Sequence, residues 1–97
     1  MPTYVVLGKY TEQGGRNINE AVSRANAIEQ RLQQVGGRLV SWHMTLGEYD
    51  LVTIIEVPSD EVVLQLALEV ANVGNVRTTT LKGFSRDEVA AVITKLT

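Results

Sequence analysis

His43 is the single histidine of the chain, and it stands in a stretch, RLVSWHMTLGEYD, that also offers Trp42, Tyr49 and Asp50. An imidazole titrating near neutrality can act as a general base or as a polar handle in a pocket. Tyr4 and Tyr10 add phenol donors, and Arg77 is the basic residue best placed to meet a carboxylate such as Asp50 or Glu56. The ligand-binding candidates are therefore His43, Tyr4, Tyr10, Tyr49, Asp50 and Arg77. With one histidine and no cysteine, three or four metal ligands would have to be collected across subunits, so no metal is expected. No Ser/His/Asp arrangement is present, which speaks against most hydrolases. Gly14-Gly15-Arg16-Asn17 precedes a helix start and offers N–H groups to an anion. It lacks the spacing of a P-loop or dinucleotide fingerprint, and no cofactor is expected. The catalytic residues, if any, stay unknown.

Composition narrows the partners. Ninety-seven residues make one small domain, 1–97, with a modest core of its own. The formal charge is −2, with the basic residues scattered singly, whereas nucleic-acid binding needs a concentrated basic face. No nucleic acid is expected. The opening MPTYVVLGKY lacks the features of a signal peptide, and no apolar run is long enough for a bilayer. The expected location is cytoplasmic, without a membrane partner.

Residues with chemistry need elements to hold them. Thr3 to Tyr10 is β-branched and aromatic and reads as a strand, and Thr11 to Arg16 with its glycine pair reads as a loop. Asn17 and Glu20 have capping-box spacing, and behind them Ile18, Ala21, Val22, Ala25, Ile28, Leu32 and Val35 recur at helical period. Gly36-Gly37 ends that helix. Arg38 to Leu46 and Asp50 to Val57 form a hairpin around Gly47-Glu48-Tyr49. Pro58 stops it, and Ser59 or Asp60 caps a second helix that ends at Gly74-Asn75. Leu64, Leu68 and Val73 make this helix apolar on more than one face, so cover is expected on two sides. Val76 to Phe84 is a fourth strand, and Ser85 with Glu88 caps a last helix carrying Val89, Val92, Ile93 and Leu96. The order βαββαβ plus a C-terminal helix predicts an α+β, ferredoxin-like, four-stranded antiparallel sheet with both long helices on one face.

The face opposite the helices decides how the protein assembles. The first and third strands are apolar on both sides, unlike half-solvated strands. Such a patch exceeds what soluble monomers usually expose, so a second copy is expected to cover it, as a homodimer or higher homo-oligomer; the alternative cover, the C-terminal helix, has a stripe short for four strands. Pairing Leu46 with Leu51 puts Val40, Trp42 and Met44 with Leu51, Ile55 and Val57 on the helix side. His43 then points to the open face. With Val5 and Leu7 assigned to the helices, Tyr4, Val6 and Tyr10 join His43 there, around a pocket between subunits. At the corner, Gly47 supplies an unusual backbone angle, Tyr49 covers strand ends, and Asp50 accepts backbone N–H groups or pairs with Arg77.

The Gly47-Glu48-Tyr49-Asp50 corner, with YTEQGGRNI (Tyr10 to Ile18) and GNVRTTTLKGF (Gly74 to Phe84), resembles the GYD domain family of small proteins of poorly defined function. The resemblance spans essentially the whole chain. It implies a ferredoxin-like fold of the dimeric α/β barrel kind and brings no agreed catalytic residues. A similar Gly-x-Tyr-Asp corner occurs in the effector-binding domains of Lrp/AsnC-type regulators, near a ligand site between subunits, which is an analogy only. The expected function is a homo-oligomeric domain that binds a small molecule or acts as a regulatory module at a subunit-interface pocket. The alternative is a cofactor-independent oxygenase or isomerase of the same architecture. The absence of a convergent acid–base set favours binding, and whether the protein is an enzyme stays open.

Overall fold

The computed structural model describes residues 1–96, so position 97 lies outside it. Four strands form the sheet: β1 (Thr3–Tyr10), β2 (Arg38–Met44), β3 (Leu51–Glu56) and β4 (Val76–Gly83). The helices are α1 (Glu12–Arg16), α2 (Ala21–Gln34), α3 (Asp60–Val73) and α4 (Arg86–Ile93), with a single 3-10 turn at Ile18–Glu20. The strands are antiparallel in the order β2-β3-β1-β4, which is the α+β, ferredoxin-like arrangement. No helix among the described residues is long and apolar enough to cross a membrane.

Local chemistry accounts for most boundaries. Ser59 Oγ accepts from the Val62 N–H to open α3, and Gly74, at φ 90°, closes it. Ser85 and Glu88 complete the reciprocal capping box of α4. The same spacing at Asn17 and Glu20 does not do so: Asn17 makes no side-chain cap, and α2 begins only at Ala21. The stretch Thr11 to Arg16, expected as a loop, is instead the short helix α1 capped by Thr11, whose Oγ1 accepts from the Gly14 N–H. Tertiary contact explains this. A Cβ at Gly14 would stand 1.9 Å from the Asn75 carbonyl oxygen, so the glycine lets α1 pack against the entrance to β4.

The hairpin register differs from the expected one by two residues, with Met44 rather than Leu46 opposite Leu51. A shift of two preserves the faces. Trp42 therefore stays under the helices and His43, opposite Val52, points away from them. Beyond Trp42 a bulge between Leu39 and Ser41 re-phases β2, so Leu39 joins the core in place of Val40, which is half exposed.

On β1 the faces are the reverse of those expected. Tyr4, Val6 and Tyr10 lie under the helices, which leaves Val5 and Leu7 on the open face. The buried core, Tyr4, Leu32, Ile55 and Val57, gathers at one end of the sheet. α2 leans on β2 and α3 on β4, the two edge strands, and the helices meet through side chains rather than by close backbone approach. A gap remains above the two central strands. The outer face of α3 is not covered by the described residues: Leu64 and Leu68 are mostly exposed.

Candidate functional site

The Thr45–Asp50 corner is internally satisfied. Asp50 Oδ2 accepts from the Tyr10 backbone N–H at 2.9 Å, while the Asp50 N–H donates to Gly8 O at 2.8 Å and its carbonyl accepts from Thr45 N at 2.7 Å. Thr45 Oγ1 donates to Tyr49 O at 2.6 Å. Gly47 has φ 106° with no atom near where a Cβ would stand, so the backbone angle is what calls for glycine. Lys9 Nζ lies 5.1 Å from the centre of the Tyr49 ring and 4.0 Å from Glu48 Oε1. These contacts give Tyr49 and Asp50 structural work at the strand ends. Arg77 does not meet Asp50 or Glu56: it stands opposite Lys9 on β4, and Glu56 pairs with Arg38 at 2.6 Å.

The open face carries Val5 and Leu7 of β1, Val52 and Ile54 of β3, and Leu81 of β4 as an apolar centre. His43 and Ser41 flank it on β2, and Thr79 and Arg77 on β4. His43 is exposed, and the sheet separates it from Tyr4 and Tyr10, so the three expected on one pocket wall are not brought together.

A cavity lies on the helix side, in the gap between α2, α3 and the central strands. It measures ≈ 310 Å³. Small residues widen it: Ala25 on α2, Ala67 on α3 and Gly8 on β1, with Trp42 and Val76 on the sheet wall. At this same cavity are Tyr10, Arg24 and Asn75. Tyr10 Oη and Arg24 Nη2 are buried without a hydrogen-bond partner among the described residues. Burial raises the Tyr10 phenol above its ordinary range; the nearby Arg24 guanidinium opposes that shift and Asp50 adds to it. Arg24 is the residue that sequence reasoning left out of the site, and Trp42 was named only for the enzyme alternative. Arg24 read as a polar spacer on an amphipathic helix, and only the position of α2 over β2 turns it inward.

Tyr4 works elsewhere, although its ring is buried. Its hydroxyl donates to Asp60 at the start of α3, which pushes the phenol up to about 12, with burial and the Asp60 charge adding to the shift. The same bond, helped by Lys82 at 3.3 Å, holds the Asp60 carboxyl below its usual range. Arg31 and Glu69 tie α2 to α3 through two bonds, Nε to Oε1 at 3.0 Å and Nη2 to Oε2 at 2.8 Å. The N–H groups once offered to an anion are taken, since Gly14 N donates to Thr11 Oγ1, Gly15 N to Thr11 O and Asn17 N to Gln13 O. Among the described residues no group of three or more His, Asp or Glu side chains is placed to hold a metal ion.

Known proteins place this architecture. The chain is 32% identical over 97 residues to a Thermus thermophilus protein described as "Glutamine synthetase and cystathionine beta-lyase binding protein", with 99% of each chain covered. No solved structure matches significantly. Residues 4–93 match the GYD domain model, and with the corner, loop and fourth strand in their expected order, this chain belongs to the GYD domain family.

Proposed function

We propose that the protein is a regulatory binding module that works by assembly: two copies join through their open sheet faces, and the assembly engages a partner protein. The observation that carries this reading is the apolar centre of Val5, Leu7, Val52, Ile54 and Leu81, against which none of the described helices packs. Leu81 alone is 49% exposed on the outermost strand. An apolar face of one exposed and four partly exposed side chains favours association, and a two-fold axis lets one patch serve both copies. His43 and Arg77, at the rim of that face, would supply the polar contacts of the interface and of any small-molecule pocket it encloses. The relative from Thermus thermophilus is named for binding two enzymes, which makes glutamine synthetase the first partner to try.

Sedimentation velocity at micromolar concentration tests the assembly. A dimer is expected for the native chain, and Leu81→Glu should shift it toward monomer by about tenfold or more in Kd, since it buries an unpaired charge within the patch. A monomeric native protein would overturn the reading. Co-sedimentation with purified glutamine synthetase then checks the partner, with retention expected for the native chain.

A further inference from the structure

We infer that the cleft between α2, α3 and the central strands is a binding site for a medium-chain monocarboxylate, whose head group meets Arg24 and Tyr10. This goes beyond the assembly proposed above, because every wall of the cleft belongs to one chain. The first argument is the pair of orphaned donors. Tyr10 Oη and Arg24 Nη2 are buried and unpartnered, and both sit at the same cavity. Leaving a buried donor unpaired is costly, more so for a charged one, so native proteins rarely do it without a ligand or water to complete the bond.

The second argument is charge. Arg24 uses its other nitrogen, Nη1, to donate to Asn17 O at 2.9 Å, and that nitrogen lies 3.8 Å from Glu20 Oε2. The Asp50 carboxylate is committed to the Tyr10 backbone N–H. One guanidinium already shared with one glutamate suits a singly charged head group better than a phosphate dianion. A planar carboxylate can accept from Nη2 and from the phenol together.

The third argument is size and lining. An apolar cavity of about 150 Å³ stays dry and holds one benzene. The ≈ 310 Å³ here therefore suits a ligand of roughly ten to twelve non-hydrogen atoms. Ala25, Ala67, Trp42 and Val76 give the remaining walls an almost wholly apolar character, which water occupies poorly and an alkyl chain fills well. Water alone would serve the two donors but not the apolar remainder.

Trp42 is the only tryptophan and lines the cleft, so its fluorescence reports occupancy directly. The full chain is titrated at pH 7 with decanoate and, separately, with decanol, both below micelle-forming concentrations. Decanoate should give a saturable change with a midpoint about tenfold lower than decanol, reflecting the charge-assisted bonds. Arg24→Gln should bring the two midpoints together, and Glu20→Gln should move them further apart. Should Arg24→Gln fail to fold, Tyr10→Phe and Glu20→Gln decide the matter, with Tyr10→Phe weakening decanoate and sparing decanol. Equal midpoints in the native chain, no response of Trp42, or a decanoate response indifferent to these variants would overturn the proposal. A monomer by sedimentation would leave it untouched.

Discussion

Gly47 and Asp50 divide the corner between them, one by backbone angle and the other by a carboxylate that closes the end of β1. With φ at 106° and open space around it, Gly47→Val meets no clash. It must instead adopt a conformation that a β-branched residue disfavours, costing about 1–3 kcal/mol. Asp50→Asn still offers an oxygen to the Tyr10 N–H and should cost less than Asp50→Ala, which leaves that donor unpaired at about 1–3 kcal/mol. Urea unfolding of the three variants checks the order, and a Gly47→Val as stable as the native chain would remove the turn argument. The corner was legible in the sequence because Gly and Asp at a hairpin end have few other physical reasons to be there. Arg24 was not, because its role depends on what lies across a gap that no local pattern encodes.

At the scale of elements, α3 is fastened to the sheet by Tyr4 on β1 and Lys82 on β4, both meeting Asp60. The neutral phenol is the donor, so a folded value pushed up from 10.0 to about 12 means stability present below pH 10 and lost as pH rises through 12. Asp60 has the opposite sign: its lowered value means stability present above its ordinary 3.8 and lost as pH falls below it. The melting-temperature gap between the native chain and Tyr4→Phe should be widest from about pH 5 to 9 and close at both extremes. A gap independent of pH would show that only ring packing differs. The same strand explains where sequence reasoning failed. Period-2 alternation assigns a face only when one side is polar, and Val5, Val6, Leu7 and Tyr4 gave β1 no polar side. The helix caps at Ser59 and Ser85 were readable, since one side chain and one N–H fix each locally. The glycine pair at Gly14 misled because its contact is with Asn75, sixty-one residues further on.

For the whole molecule, the described residues extend 53 × 31 × 18 Å, and α4 is the helix least joined to the rest. It is well capped yet packs little against the sheet or the other helices, and Val89, Val92 and Ile93 are all more than two-fifths exposed. An eight-residue helix is marginal on its own in water, because nucleation is costly and few bonds follow it. Its apolar stripe therefore asks for a surface that the described residues do not supply, just as the open face of the sheet asks for a cover. Joining two copies can meet both needs if α4 of one packs at the rim of the other's sheet. Amide exchange in α4 should then slow as concentration rises through the dimer Kd, while exchange in β1 and β3 stays nearly constant. Val92→Glu should weaken the dimer by about tenfold without changing the helical signal of α2 and α3. If α4 exchanges at one rate across the whole concentration range, the helix lies outside the interface and the sheet faces must hold the dimer alone.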